Sequence, residues 1–91
     1  MILGKVVGTV WATRKDEALV GVSLQIVRHI DLHYQLKDAF VVAVDTVQAG
    51  VGDIVLVATG SSARQTVVTK NKPVDAVIMA VVDKLDVTEK L

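Results

Sequence analysis

The chain has 91 residues, which is the size of one small domain, and we take residues 1–91 as that domain. Ten basic residues balance ten acidic ones, so no bulk charge attracts a polyanion such as nucleic acid. The absence of cysteine excludes disulfide bridges, thiolate nucleophiles and cysteine-based metal sites.

Apolar residues make up 52% of the chain, more than one small core hides comfortably. A membrane is one destination for the excess, but the longest uninterrupted apolar run covers only residues 76–82. A spanning helix needs roughly 20 such residues. The first residues also lack the basic and apolar blocks of a signal peptide. We therefore predict that the chain buries its excess apolar surface against identical subunits, with no membrane partner.

The first half of the chain shows the alternation of strands. Residues 2–13 predict a strand in which Gly8 marks a bulge or bend. The charged residues 14–17 predict an exposed turn. Residues 19–28 alternate most regularly and predict a strand with one buried face. That face is predicted to consist of Val20, Val22, Leu24 and Ile26.

The second half adds a polar hairpin loop at residues 29–38 and a short helical turn at residues 61–65, with Ser61 or Ser62 as its N-cap. Residues 84–91 predict a charged tail that frays. Three further strands, apolar along their length, are predicted at residues 40–44, 54–58 and 76–82. Strands at this spacing, without a long helical pattern, indicate an all-β fold, a small barrel or sandwich.

The residues that carry chemistry in other proteins favour structural use here. His29 and His33 lie in the predicted loop, and the sequence places no third ligand near them, so we predict no metal site. The four aspartates at strand ends are typical of turns, and nothing pairs them for acid–base work. We predict no catalytic residues and no cofactor. These aspartates are Asp45, Asp53, Asp75 and Asp83.

The segment Gly60, Ser61, Ser62, Ala63, Arg64 leaves two interpretations open. Two hydroxyls before a helical turn are one way to present N–H groups to an anion, which suggests a small anion- or ligand-binding module. The alternative is a structural turn in which Arg64 braces a neighbouring segment. A serine nucleophile does not fit, because the second glycine of the nucleophile elbow is missing.

Four stretches in this order resemble the pentameric vertex proteins of bacterial microcompartments and carboxysomes. The chain opens with ILGKVVGTV at residues 2–10, and continues with DTVQAGVGD at 45–53, GSSARQ at 60–65 and KPVDAVIMAVVD at 72–83. The resemblance implies a five-stranded barrel similar to an OB-fold, assembled as a cyclic pentamer. It further implies a structural, non-enzymatic role: closing the corners of a polyhedral shell within the cytoplasm. Gln48 and Asp53 depart from the family pattern, which has glycine and glutamate there.

The resemblance also implies roles for particular residues. Gly60, Ser61 and Ser62 are expected beside the five-fold axis, around a narrow pore. We expect Arg64 and Val81 in the contact between subunits. The resemblance implies hexameric shell proteins as further partners, and we assign the rim that meets them to the exposed turn Arg14, Lys15, Asp16 and Glu17.

An OB-like barrel raises nucleic-acid binding as a further alternative. Such binders combine a basic groove with aromatic stacking platforms. This chain has one Trp, one Tyr, one Phe and no net charge. We therefore predict that nucleic acid is not a partner, and that Trp11 serves the core or a subunit contact.

Overall fold

Five strands close into a barrel in a computed structural model that describes residues 1–88. The order around the barrel is β1, β2, β3, β5, β4. The all-β, five-stranded prediction is confirmed. The strands are β1 (Ile2–Thr9), β2 (Leu24–Ile30), β3 (Leu36–Asp45), β4 (Ile54–Thr59) and β5 (Ala76–Val81).

Four of the five strand pairs are antiparallel, and β1 closes the barrel against β4. The exception is the parallel pair β3–β5, which is short and consists of Val44 with Val77 and Asp45 with Ile78. The pairing of β1 with β2 shifts register between Val6 and Gly8, so the predicted irregularity at Gly8 is confirmed. Such a bulge increases the local twist that barrel closure requires.

The connection between β1 and β2 is longer than the sequence predicts. β1 ends at Thr9, and β2 begins only at Leu24. Asp16 is responsible for part of this difference, because its carboxylate accepts a hydrogen bond from Ala18 N at 2.9 Å and begins a 3₁₀ helix over Glu17–Leu19. The prediction of a strand from residue 19 was therefore wrong. A local side-chain cap outcompeted the alternation.

The hairpin between β2 and β3 shows the opposite error, since part of a predicted loop forms strands. Half of the predicted loop at residues 29–38 belongs to the two strands, which leaves residues 31–35 as the turn. Asp31 organises this turn by accepting hydrogen bonds from His33 N at 2.7 Å and Gln35 N at 3.1 Å. Nearly every residue from 31 to 40 is exposed. The strands are polar here because they project beyond the barrel, so polarity was misread as irregularity.

Two apolar clusters hold the fold, one inside the barrel and one outside its wall. The inner cluster includes Val6, Val27, Val57 and Ile78, each with 0% exposure. The outer cluster joins Val44, Ala58, Ala63 and Val77, with Val22, Leu24 and Val74 packed against it.

The predicted buried face of β2 was wrong, since Gln25 and Val27 point inward and Val20 is 64% exposed. Gln25 is buried because distant groups satisfy its amide. It accepts from the Thr9 hydroxyl at 2.8 Å and donates to Ala49 O at 3.0 Å. A buried polar group is tolerated when it is hydrogen-bonded in this way.

At Gly4, β1 and β2 lie too close together for a side chain. A Cβ at this position would lie 2.7 Å from Arg28 O and would also collide with Val27 Cγ1. Only a residue without a side chain allows the two strands this distance.

Residues 82–88 follow β5 and belong to no helix or strand. Leu85 N donates to the Tyr34 hydroxyl at 3.0 Å, so the first part of the predicted frayed tail contacts the tip of the β2–β3 hairpin. Residues 89–91 of that predicted tail lie outside the described residues. Within residues 1–88, no helix has the length and apolar character needed to cross a membrane.

Candidate assembly surfaces

The segment that leaves β4 forms a second 3₁₀ helix, Gly60–Arg64. Gly60 has φ +65°, a left-handed conformation that glycine adopts without steric cost, and its N–H donates to Asp75 O at 2.8 Å. Ala63 is buried in the outer cluster, whereas Ser61 and Ser62 are exposed. The helical turn is confirmed, but its predicted N-cap is wrong. Thr59 occupies that position and makes no side-chain capping bond.

The groove beside this segment is unsuited to an anion. It has a volume of about 420 Å³ and is lined by Val41, Val42, Thr59, Gly60, Asp75 and Ala76. The lining includes a carboxylate and no basic side chain, so its charge repels phosphate or sulfate. The geometry therefore gives no support to the anion-binding alternative.

Arg64 lies at the end of the same helix and is exposed. Its Nη1 donates to Val74 O at 3.1 Å, which ties the helix to the residues before β5. A guanidinium has five N–H donors in a planar fork. This one contact therefore leaves most of them for a partner, and the exposed position is compatible with both the bracing and the interface interpretations.

Exposed apolar side chains lie along the strands and are not confined to loops. Phe40 is 62% exposed, and Val42 and Val81 are each 41% exposed. Phe40 and Val42 pair across the sheet with Arg28 and Ile26, on the opposite face from the inward-pointing Val27 and Val41. The outer face of β3 is therefore an apolar surface that the single chain leaves uncovered.

A second groove extends this apolar face toward the loop before β5. Its volume is about 230 Å³, and its lining is apolar except for Asp75. Exposed apolar strand residues beside an apolar groove are typical of a protein–protein contact. The lining residues are Leu19, Leu24, Val42, Val44, Pro73, Val74, Asp75 and Ala76.

The predicted rim turn, Arg14 to Glu17, is exposed throughout. Two of its charged groups act locally, since the Lys15 ammonium donates to Ala12 O at 2.9 Å and the Asp16 carboxylate caps the first 3₁₀ helix. These bonds shape the loop. Arg14 and Glu17 are then the members of the turn best placed to meet another protein.

The candidate chemical residues are dispersed. Asp45 accepts from Val47 N and Ala49 N, and Asp53 accepts from Gly50 N at 2.8 Å, so both carboxylates order turns. Hydrogen bonds from the amides of Gln35 and His33 lower the pKa of Asp31. Within the described part of the chain, no three residues of the His, Cys, Asp and Glu types come together as a metal site would require.

Two features of the site escaped the sequence reasoning. An unbroken apolar strand at residues 40–44 does not indicate which of its faces the single chain buries, and only the tertiary structure shows that the face of Phe40 is open. His29 was placed in a loop, whereas it lies on β2 with a buried Nε2 atom that has no hydrogen-bond partner among the described residues. Its position two residues after Val27 was the available signal.

Comparisons with known proteins cover nearly the whole chain. Residues 1–83 match the family model described as "Ethanolamine utilisation protein EutN/carboxysome". The bacterial microcompartment shell vertex protein GrpN of Rhodospirillum rubrum is 42% identical over 94% of this chain and 97% of its own length. The shell vertex protein PduN of Salmonella typhimurium is 38% identical, covering 93% of this chain and 98% of that protein.

Solved structures agree with the sequence comparison. CcmL of Nostoc sp. superposes with a TM-score of 0.91 at 40% identity, covering 93% of this chain and 92% of that one. The structure described as the GrpN pentameric microcompartment shell protein of Rhodospirillum rubrum has a TM-score of 0.85 at 41% identity, covering 96% and 100% of the two chains. On the evidence of sequence and fold together, the chain belongs to the EutN/carboxysome family.

Proposed function

We propose that this chain is a structural shell protein that assembles into a ring of five and closes the vertices of a polyhedral bacterial microcompartment. The observation that carries the proposal is the end-to-end match with GrpN, a pentameric microcompartment shell protein. The match covers nearly all of both chains, so no additional domain of the relative is needed to explain its assembly.

The uncovered face of β3 supports a ring. A cyclic ring uses two different surfaces on each subunit, because each copy meets one neighbour with each side. The apolar face around Phe40 and Val42 and the groove beside it supply one such surface. Burying it against a neighbour removes apolar area from water at about 25 cal/mol per Å².

We further propose that Gly60, Ser61 and Ser62 surround the five-fold axis. Their support is the exposed hydroxyls on a short, backbone-tied helix that contributes only Ala63 to a core. Five copies of this helix would present ten hydroxyls to a central opening. Such a lining is polar and uncharged.

Arg64 and Val81 are proposed to contact the neighbouring subunit. Arg64 is exposed with donors to spare, and Val81 ends β5 with 41% of its surface open. An arginine beside apolar surface is a common anchor of protein interfaces.

The remaining partners are hexameric shell proteins, which we propose meet the ring at the turn Arg14 to Glu17. That turn is exposed and shaped by its own hydrogen bonds. The relatives are named as shell vertex proteins, and we propose a non-catalytic role that needs no cofactor, within a shell in the cytoplasm. Shape and adhesion are sufficient for that role.

Native mass spectrometry of the purified protein tests the ring directly, and the expected result is a species of five chains. The variant Arg64→Glu tests the interface. Reversing this charge should leave the β-structure seen by circular dichroism intact and shift the mass to smaller species.

Arg14→Glu is the matched control, because Arg14 is also exposed but lies outside the proposed ring contact, and its pentamer should persist. A pentamer that survives Arg64→Glu would reject the interface role of Arg64 alone. A wild-type protein that stays monomeric at micromolar concentration would reject the ring itself.

A further inference from the structure

One part of β3 has a partner strand on one side only. β3 pairs with β2 along most of its length, whereas its pairing with β5 is limited to Val44 and Asp45. The residues of β3 before Val44 therefore form an open edge within an otherwise closed barrel. A fully closed barrel has no such edge, because each strand is paired on both sides.

The hydrogen-bond register shows which peptide groups point to this open edge. Asp45 N donates to Ser23 O at 2.9 Å, on the side of β2. In an antiparallel pair, the N–H and C=O groups of successive residues point alternately toward and away from the partner strand. The register is unbroken from Val44 to Phe40. The peptide groups of Phe40 and Val42 therefore point away from β2, and no backbone hydrogen bond among residues 1–88 joins them to another segment.

The same two residues expose their side chains. Phe40 is 62% exposed and Val42 is 41% exposed. Edge strands in native proteins are commonly protected by charged residues, by proline or by a bulge. Here residues 39–44 contain neither a charge nor a proline. An unprotected apolar edge favours the addition of a strand from another chain.

A groove lies along this edge and leaves room for an added strand. Its volume is about 420 Å³, with Val41 and Val42 on one side and Asp75 and Ala76 on the other. Asp75 is exposed, and its carboxylate takes part in no hydrogen bond or ion pair among the described residues. A complementary occupant therefore offers main-chain hydrogen bonds, apolar side chains and a cation.

A second copy of this chain meets these requirements. Its Arg64 is exposed and uses only one donor within its own chain, and Val81 is an exposed apolar residue. The net charge is zero, so copies do not repel one another by bulk charge. Two β3 edges that paired with each other would be related by a two-fold axis and would close a dimer. In a ring of five, the edge has to meet a different segment of its neighbour.

We propose that the edge of β3 at Phe40 and Val42 receives an extended segment of the neighbouring copy, so that the β-sheet continues across the subunit boundary. This inference rests on the proposed ring and adds that main-chain hydrogen bonds hold it together with apolar contacts. In strand addition, main-chain bonds supply affinity, and alternate side chains supply specificity. Hydrogen bonds are directional, so they also fix the angle between adjoining subunits that ring closure requires.

Amide hydrogen exchange tests the proposal, measured residue by residue by NMR on the assembled wild type. Phe40 and Val42 should exchange at least about a hundredfold more slowly than Leu32 in the exposed hairpin turn, because hydrogen-bonded amides are protected to this degree. Val41 is the internal reference, since its amide points to β2 within the same chain. On dilution to single subunits, Phe40 and Val42 should lose protection while Val41 keeps it.

Native mass spectrometry of the same sample separates this inference from the proposed function. A ring of five in which Phe40 and Val42 exchange as fast as Leu32 would overturn the added strand and leave the ring standing. Protection that persists in single subunits would show that the chain itself covers the edge, which also contradicts the inference. A sample without rings would reject the proposed function, and the inference with it.

Two variants of one residue distinguish the main-chain bond from the side-chain contact. Val42→Pro removes the N–H at the open edge, and its ring obstructs an incoming strand. It should weaken each subunit contact by about tenfold, measured by dilution and native mass spectrometry, while circular dichroism keeps the spectrum of the barrel. Val42→Thr keeps the N–H and the branched shape, so it should weaken the contact less.

Equal dissociation of Val42→Pro and Val42→Thr would refute the main-chain role of this residue. If Val42→Pro does not fold, the exchange rates of Phe40 and Val42 in the wild type decide the question without it.

Discussion

The inner face of the barrel and the outer face of β3 are both rich in apolar residues, but they differ in solvent exposure. The inner face is formed by valine, alanine and isoleucine side chains that are fully buried, as at Val57 and Ile78. The outer face of β3 is also apolar, yet Phe40 and Val42 remain open to solvent. The apolar residues of the inner face therefore stabilise the fold, whereas those of the outer face of β3 are available for contact with another subunit.

Truncating the inner face should have the largest effect. Ile78→Ala removes buried atoms from a side chain with 0% exposure and leaves a cavity. We expect a loss of about 2–5 kcal/mol in the free energy of unfolding, measured by urea denaturation. Met79→Ala is the matched control, because Met79 is the next residue and is 40% exposed. Equal losses in the free energy of unfolding for the two variants would show that buried and exposed positions of β5 contribute equally to stability.

Truncating the outer face should affect assembly and spare the fold. Phe40→Ser should keep the circular dichroism of the barrel and weaken the ring by about 1.5–3 kcal/mol for each buried side chain lost. Dilution followed by native mass spectrometry measures that weakening.

Val67→Ser serves as the control for Phe40→Ser, since Val67 is 98% exposed but lies in a loop away from the strands. If both variants dissociate equally, or neither does, the outer face of β3 is not the assembly surface.

The smallest effect concerns the turn after β3. Gln48 has φ +58°, a left-handed conformation that costs a residue with a side chain about 1–2 kcal/mol. Gln48→Gly removes this cost but adds chain entropy to the unfolded state, so a net gain below about 1 kcal/mol is expected. Thermal unfolding measures it. Gln65→Gly, at φ −98°, should destabilise the protein. A loss of stability for Gln48→Gly would contradict the claim that Gln48 has a strained backbone conformation.

The sequence predicted the helical turn at residues 60–64 better than it predicted the strand ends. The turn at Gly60 to Arg64 is recognisable because glycine and hydroxyl residues carry local turn chemistry. The boundaries of β2 and β3 are not recognisable in the sequence. Asp16 caps a 3₁₀ helix where the alternating residues begin, and the β2–β3 hairpin carries polar residues as a loop would. Local composition indicates solvent exposure. It does not indicate secondary structure where a strand is exposed, as in the first half of β3.

The sequence by itself determined the all-β class and the excess of apolar surface, because alternation and composition are local properties. Only the tertiary structure decided which face each strand buries. Gln25 is inside because Thr9, Asp45 and Ala49, all distant in sequence, meet its amide there. Leu24 lies outside because Val44, Ala58 and Val77 form a second cluster beneath the loops. Barrel closure fixes such partners together, and no single strand contains that information.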